Sequence, residues 1–334
     1  MKGCFACNDS TTLPYIFGEE RTAQIAREVE LCEAVINDGN LEEHKAFLQE
    51  VQVMFCAWNT PALTEEQIAE YFPRLEVVFY AAGSVQYFAR PFFARGVRIL
   101  SAWKVMAIPV AQVTVAMIVL ANKGAFLARE RYKTEGYEAA GEFAHQMLPG
   151  TYHTKIGILG AGAIGALTIE LLKGYSVDIY VFDPFLSDAR AAELGVTKCS
   201  LQEVFSQCQT ISNHMANNAQ TAGMLNYDVL SLMSDTACFI NTGRGAQVVE
   251  ADLVRVLEEQ PNRCAILDVT YPEPVEENHA FLRLPNVFLF PHIAGHANEE
   301  AHMFADCMIE QLRRYQNGLP LQYEVMPDML KTMA

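Results

Sequence analysis

Basic residues are scarce in this sequence, which has 24 Lys and Arg against 40 Asp and Glu and a formal charge of −16. That balance argues against partners such as nucleic acid or an anionic membrane surface. No fixed-period repeat and no low-complexity segment is present, which argues against a repeat array or a disordered chain. An anionic small molecule would therefore need a local positive site in a globular protein.

Long uninterrupted apolar runs are also missing. The longest, 105–121, contains Pro109, Gln112 and Thr114 and is shorter than the roughly 20 residues that a bilayer requires. We expect a buried helix with Pro109 in its first turn, because proline is tolerated where the backbone amide has no helical partner. A membrane partner is not expected.

The cysteines do not form a metal-binding pattern. Cys4 and Cys7 have CxxC spacing, but no second such pair exists to complete a zinc site, so no metal is predicted. The nine cysteines are an odd number scattered through apolar segments, which is typical of reduced thiols. With no apolar stretch of signal-peptide length near Lys2, we expect a cytoplasmic protein.

Apolar residues make up 51% of the chain and charged residues 19%, as in a soluble protein with a large core and room for two domains. Short apolar runs alternate with helical patterns, one of which opens on the capping box Thr64/Gln67. Asn298 resembles the N-cap of a late amphipathic helix. The alternation predicts two parallel-sheet domains, with strands at 51–57, 77–82, 97–100, 156–159, 177–182, 210–212, 238–241, 265–269 and 287–290.

The segment that follows Ile156–Leu159 is typical of a dinucleotide site. We expect Gly160 to take the turn's backbone angles, Gly162 to let the chain approach a pyrophosphate, and Gly165 to let the next helix lie close to the strand. The helix should open at Ala163, so that unpaired amides and the positive end of its dipole face the phosphates.

Asp183 stands about 20 residues further on, at the end of the next predicted strand, where a carboxylate accepts hydrogen bonds from the adenosine ribose. Pro184 and Phe185 follow it, and no arginine is present there to hold a ribose phosphate. The predicted cofactor is therefore NAD.

Three polar residues lie just past the ends of the late strands, where doubly wound sheets bind ligands. Arg244 can hold a carboxylate and polarise a neighbouring carbonyl. His292 is the candidate acid/base, and Glu273 can favour and orient its protonated form. Asp268, at a strand end, could meet the nicotinamide carboxamide.

Together these segments resemble the D-isomer-specific 2-hydroxyacid dehydrogenases over most of the chain. The matching segments are 160–165 with Asp183, 241–245, 268–274 and 291–295. The resemblance implies Arg244, Glu273 and His292 as catalytic residues. It also implies NAD contacts at Gly160, Gly162, Ala163, Ile164, Gly165, Asp183, Thr242, Gly243, Arg244, Asp268, His292 and Gly295.

The expected fold class is α/β with two doubly wound domains, a Rossmann NAD-binding domain plus a discontinuous flavodoxin-like substrate domain. The substrate domain would comprise 1–106 plus 302–334, and the NAD-binding domain 107–301. The resemblance further implies a homodimer built on the long helix after Pro109.

The chain departs from the family where many members have aspartates after a glycine turn. Here Gly83 remains, so the amides of Ser84 and Val85 could bind a substrate carboxylate beside Arg244. Trp58, Trp103 and Lys104 either line the cleft or form an aromatic-packed hinge with a solvated lysine, and the second interpretation is favoured.

The leading hypothesis is an NAD-dependent interconversion of a 2-hydroxy acid and a 2-oxo acid. One alternative is an NAD-responsive regulatory protein on the same fold, which the intact Arg244, Glu273 and His292 argue against. Another is a dehydrogenase of formate or phosphite, and a sugar-derived hydroxy acid is a further candidate substrate. The residues do not specify the substrate side chain, the direction or the stereochemistry.

Overall fold

The computed structural model describes residues 1–331 and 333. Their contacts divide the chain into two compact units. The first unit comprises Met1–Met106 together with the chain from His296 onward, and the second comprises Ala107–Gly295. The division into two independently folding domains, 1–106 plus 302–334 and 107–301, stays a prediction.

The first unit contains a six-stranded sheet in the order β13-β5-β4-β3-β1-β2. The pairings among β1 to β5 are parallel and β13 is antiparallel to β5. The central order 2-1-3-4-5 is that of a flavodoxin-like fold. The strands are β1 (Lys2–Ala6), β2 (Glu30–Leu31), β3 (Val51–Cys56), β4 (Val77–Tyr80), β5 (Arg98–Ser101) and β13 (Glu324–Val325).

Helices cover both faces of this sheet, so alternate residues of one strand enter different cores. Met54 and Cys56 of β3 belong to one apolar cluster, while Val53 and Phe55 belong to the other. Burial on both faces explains why the strands read as continuous apolar runs. The helices are α1 (Thr12–Glu28), α2 (Lys45–Leu48), α3 (Glu65–Tyr71), α4 (Ala89–Ala94) and α13 (His302–Gln316).

The second unit contains a seven-stranded sheet in the order β12-β11-β10-β9-β6-β7-β8, and all its pairings are parallel. From β6 the chain adds β7 and β8 on one side of the sheet. It then crosses to the other side of β6 and adds β9, β10, β11 and β12 there, as in a Rossmann fold. The strands are β6 (Thr154–Leu159), β7 (Val177–Phe182), β8 (Thr197–Lys198), β9 (Thr210–Asn213), β10 (Cys238–Asn241), β11 (Cys264–Leu267) and β12 (Val287–Leu289).

The helices of the second unit also cover both faces of its sheet. The predicted fold class is therefore confirmed. These helices are α5 (Trp103–Asn122), whose first four residues belong to the first unit, α6 (Ala125–Thr134), α7 (Tyr137–Glu142), α8 (Ala163–Leu172), α9 (Asp188–Leu194), α10 (Leu201–Gln207), α11 (Tyr227–Leu230) and α12 (Glu250–Glu259).

Helix α5 is the longest apolar element. Its length and composition would allow it to cross a bilayer, but 56% of its most apolar window is buried inside the protein, as in a core helix. The placement of Pro109 in the first turn is wrong, because the helix begins at Trp103 and includes Pro109. Ser101 and Lys104 hid the first turn, and the helix continues through Pro109 although an interior proline removes one backbone hydrogen bond and crowds the preceding turn, at a cost of roughly 3 kcal/mol.

Two predictions at other helix ends had different outcomes. The capping box at Thr64 and Gln67 is confirmed, with both reciprocal hydrogen bonds formed. Asn298 as N-cap is wrong, because Asn298–Ala301 is a 3₁₀ turn and α13 begins at His302. The Glu300 carboxylate instead accepts the backbone amide of Ala297 at 2.6 Å.

Candidate active site

The glycine turn after β6 has the geometry of a phosphate cradle. Gly160 has a φ of +87°, and a Cβ on it would lie 2.9 Å from the carbonyl oxygen of His214. A Cβ on Gly165 would overlap the carbonyl of Gly160. A Cβ on Gly162 would meet nothing within 4 Å, so the turn is packed on its inner side and open at Gly162.

Helix α8 begins directly after this opening. Gly162 is its N-cap, and Ala163 and Ile164 are its first two residues. The first amides of a helix have no partner within the helix, and here they border the open space at Gly162. The cradle therefore fits a pyrophosphate.

Asp183 is held against the same turn. Its Oδ2 accepts the backbone amide of Ala161 at 2.8 Å and its Oδ1 accepts that of Phe185 at 2.8 Å. Each carboxylate oxygen retains a second lone pair, so the group can still accept hydrogen bonds from a ribose. Its position at the end of β7, next to β6, is that of the ribose-binding acid in dinucleotide folds.

Arg244 follows β10 in the same unit. Its Nη1 donates to the carbonyl of Gly243 at 2.7 Å, and burial lowers the pKa of the guanidinium while the charge of Glu273 raises it. A largely desolvated arginine beside a carboxylate suits the binding of an anion. The neighbouring Thr242 hydroxyl is buried 3.2 Å from the hydroxyl of Thr114 on α5.

Asp268, which follows β11, fixes the turn that carries His292. Its Oδ1 accepts the amide of Ile293 at 2.8 Å and its Oδ2 accepts that of Ala294 at 3.0 Å. Its backbone carbonyl accepts the amide of His292 at 3.0 Å. These bonds support a φ of +53° at His292, a backbone conformation that costs free energy and is often found at functional sites.

The turn continues to Gly295, where a Cβ would meet nothing within 4 Å. The buried Asp268 thus reaches the backbone of three successive residues of this turn. Its carboxylate is used mainly to hold the turn in place.

The His292 imidazole meets the Glu273 carboxylate, with Nδ1 and Oε1 2.5 Å apart. Both side chains remain partly open to solvent, at 46% and 41% exposure. Because Nδ1 is engaged by Glu273, Nε2 is the ring atom left to exchange a proton with a bound molecule. The structure thus brings His292, Glu273, Asp268 and Arg244 together in one unit.

The predicted substrate loop lies in the first unit, after β4. The Ser101 hydroxyl donates to the carbonyls of Ala82 and Gly83 at 2.7 and 2.6 Å. Val85 is fully buried and Ser84 is half-buried. Of the three predicted residues Gly83, Ser84 and Val85, the backbone amides and the Ser84 side chain are therefore the groups that can be offered to a ligand.

The two tryptophans of the first unit are half-buried against its core. The Lys104 ammonium lies 5.1 Å from the centre of the Trp103 ring. The interpretation of this segment as an aromatic-packed hinge with a solvated lysine stays a prediction. The Trp58 ring contacts the His296 ring with ring centres 4.7 Å apart and ring planes tilted by 32°.

Sequence reasoning missed His214, which lies at the end of β9 beside the glycine turn. Its Nε2 is 3.0 Å from the Ser212 hydroxyl, and burial lowers its pKa to about 3. Its Nδ1 is shielded from solvent without a hydrogen-bond partner in the described part of the chain. The signal in the sequence was a histidine directly after a predicted strand, which is too common to single out.

Comparisons with known proteins agree with this geometry. Residues 115–294 match the family model described as D-isomer specific 2-hydroxyacid dehydrogenase, NAD binding domain. The chain is 29% identical over 272 residues to a glyoxylate reductase of Korarchaeum cryptofilum, covering 80% of this chain and 82% of that protein.

A second relative is a putative 2-hydroxyacid dehydrogenase, YoaD, of Bacillus subtilis. The match is 33% identical over 180 residues, which is 53% of this chain and only 52% of that protein. Among solved structures, a phosphoglycerate oxidoreductase from Rhizobium etli superposes with a TM-score of 0.83 at 22% identity, covering 98% of this chain and 99% of the other. That likeness concerns the fold.

Proposed function

We propose that this chain, which belongs to the D-isomer-specific 2-hydroxyacid dehydrogenase family, is an NAD-dependent oxidoreductase that interconverts a 2-hydroxy acid and a 2-oxo acid. The observation that carries the proposal is the contact of His292 with Glu273 at 2.5 Å, in the same unit as Arg244 and an intact dinucleotide turn. A regulatory protein would have no need of an acid/base pair.

The cofactor site would consist of the glycine turn and Asp183. Gly160, Gly162 and Gly165 leave room for the pyrophosphate, and Ala163 and Ile164 supply helix N-terminal amides. NAD, when bound, supplies or accepts the hydride. Thr242, Gly243, Asp268, His292 and Gly295 are proposed as the remaining contacts toward the nicotinamide.

Arg244 is proposed to anchor the substrate carboxylate. Its planar guanidinium can bind two carboxylate oxygens at once and leave an N–H for the neighbouring carbonyl. Burial strengthens such a bond because water competes less. Amides of Gly83, Ser84 and Val85 in the first unit are proposed as further donors to the carboxylate.

His292 is proposed to move the proton. In the reductive direction its Nε2 gives a proton to the substrate carbonyl oxygen as hydride reaches the carbonyl carbon, and in the oxidative direction it takes the hydroxyl proton back. Glu273 stabilises the protonated imidazole and orients it through Nδ1. The proton and the hydride together complete the two-electron change.

We further propose a cytoplasmic homodimer that uses no metal. The dimer is supported by exposed aromatic residues after α5, including Tyr132 at 57% and Tyr137 at 76% exposure, since such residues are enriched at interfaces. The nine free cysteines suit a reducing compartment.

The proposed function is tested by NADH oxidation with a panel of 2-oxo acids: glyoxylate, hydroxypyruvate, pyruvate and phenylpyruvate, with sugar-derived 2-oxo acids added. The Arg244→Ala variant is measured beside the wild type. Turnover on one class of acid that is lost in the variant would support the proposal and identify the side chain accepted. NADH binding without turnover on any of them would count against it.

A further inference from the structure

Three buried amide side chains meet at the carboxyl ends of β9 and β10. Asn213, Asn241 and Gln247 are 0%, 1% and 0% exposed. The Asn213 Nδ2 donates to Asn241 Oδ1 at 3.0 Å and to Gln247 Oε1 at 2.6 Å. Asn213 and Gln247 thus form an amide bridge between two segments that are 34 residues apart in sequence.

The bridge continues into the backbone on both sides. Gln247 Nε2 donates to the carbonyls of Met215 and Ala216 at 2.9 and 3.0 Å. Asn241 Nδ2 donates to the carbonyl of Arg244 at 3.1 Å, and its Oδ1 accepts the amide of Gly243 at 3.0 Å. The network therefore ends on the backbone of Arg244.

The residues on either side of Arg244 have no room for a side chain. A Cβ on Gly243 would lie 3.1 Å from Asn213 Nδ2 and 3.2 Å from Gln247 Oε1, so this residue packs directly on the bridge. A Cβ on Gly245 would overlap the backbone of Thr270. The Cα of Arg244, from which its side chain extends, is therefore flanked by tightly packed residues on both sides.

A buried amide is costly unless its hydrogen bonds are satisfied, and an apolar side chain of similar size would fill the same space without that cost. Here the donors of Asn213 and Gln247 have partners. A satisfied buried network favours one geometry over others. In this protein the geometry that the network favours is the backbone position of Arg244.

We propose that Asn213 and Gln247 are positioning residues that set the backbone of Arg244, so that its guanidinium meets the substrate carboxylate. This inference rests on the proposed function, because it assigns the bridge a role in the site where Arg244 anchors the substrate. Neither residue touches the reacting atoms, so both act through Arg244.

The test uses two near-isosteric variants, Asn213→Leu and Gln247→Met, in the full chain. Each removes the bridge while keeping most of the buried volume. The matched control is Asn286→Leu: Asn286 is buried in the same unit and its Nδ2 also donates to two backbone carbonyls, those of Leu257 and Arg263, at 3.0 and 2.9 Å. Asn213→Ser, too short to reach Gln247, replaces Asn213→Leu if that variant does not fold.

The assay measures kcat/KM with the best 2-oxo acid of the panel and, separately, the Kd of NADH by fluorescence. We expect kcat/KM to fall by about ten- to a hundred-fold in each bridge variant, as for other small displacements of catalytic groups, with a smaller rise in the Kd of NADH, since Gly243, one of the proposed nicotinamide contacts, packs on the bridge. Asn286→Leu should lower thermal stability without changing kcat/KM. A bridge variant with wild-type kcat/KM would overturn the inference.

A second measurement separates positioning from general damage. In the Arg244→Ala background, where the residual turnover is followed at high enzyme concentration, adding Gln247→Met should change kcat/KM by less than about two-fold, since the bridge has nothing left to position. A loss equal to that seen in the wild-type background would overturn the inference. Turnover by the wild type tests the proposed function itself, so the proposed function and the inference about the bridge can fail separately.

Discussion

The imidazole Nδ1 of His292 lies 2.5 Å from the Oε1 of Glu273, although 19 positions separate the two residues in sequence. Asp268 makes this contact possible by holding the turn of His292 through the amides of Ile293 and Ala294. The Asp268 carboxylate thus orients the loop that carries His292, and the Glu273 carboxylate orients the imidazole ring.

Replacing Glu273 with Gln should lower kcat/KM by about ten- to a hundred-fold, because the acceptor of the Nδ1 hydrogen bond loses the negative charge that stabilises the protonated ring. The measurement is steady-state kinetics near neutral pH. Glu276→Gln, on the same exposed loop, is the control. An unchanged kcat/KM in Glu273→Gln would remove Glu273 from the mechanism.

Alanine substitutions at two glycines of the turn should affect different quantities, stability at Gly165 and NADH binding at Gly162. Gly165→Ala forces a clash with the Gly160 carbonyl and should lower the free energy of unfolding by about 1–3 kcal/mol. Gly162→Ala meets no protein atom within 4 Å and should cost less than about 1 kcal/mol. It should nevertheless weaken NADH binding by about ten-fold or more, because its methyl group enters the space left for the pyrophosphate.

Urea unfolding and NADH titration measure these two quantities. If Gly162→Ala binds NADH as tightly as the wild type, the pyrophosphate does not lie against this turn.

Cofactor choice should depend on Asp183. Its carboxylate repels a ribose phosphate, so Asp183→Ser should lower the ratio of kcat/KM for NADH over NADPH by about ten-fold or more. Asp188→Ser, an exposed acid at the start of α9, is the control. An unchanged ratio would show that another group selects the cofactor.

His214 predicts a pH dependence of stability. Burial lowers its pKa from 6.5 to about 3, so the unfolded chain binds the proton first as the pH falls. The stabilisation is present above pH 6.5 and is lost between pH 6.5 and about 3, with a slope of up to about 1.4 kcal/mol per pH unit.

His214→Gln should flatten that slope in urea unfolding measured at several pH values. His153→Gln, whose side chain is 66% exposed, should leave it unchanged. Equal slopes in the wild type and His214→Gln would contradict the assignment of a buried neutral ring.

Much of the fold could be predicted because its signals are local. The strand at Cys238–Asn241 was placed within its observed limits, and the capping box at Thr64 needs only Gln67 three residues later. Strand β1 was missed because Lys2–Ala6 is short and begins with Lys2 and Gly3. The start of α5 was missed because Pro109 resembled a helix start.

The site could be predicted only at the level of residues in motifs. Arg244, Glu273 and His292 are recognisable because each follows a predicted strand. The bridge between Asn213 and Gln247 could not be predicted, since one residue ends a short buried strand and the other resembles a loop glutamine. Only the three-dimensional pairing of distant segments makes them partners.

The most direct test of the account compares wild type and His292→Ala in two measurements on the same protein: the rate of NADH oxidation with the best 2-oxo acid, and the Kd of NADH. We predict a rate lower by about a hundred- to ten-thousand-fold, the range typical of lost acid/base catalysis, with NADH still bound as in the wild type. A His292→Ala variant that oxidises NADH at the wild-type rate would contradict the account.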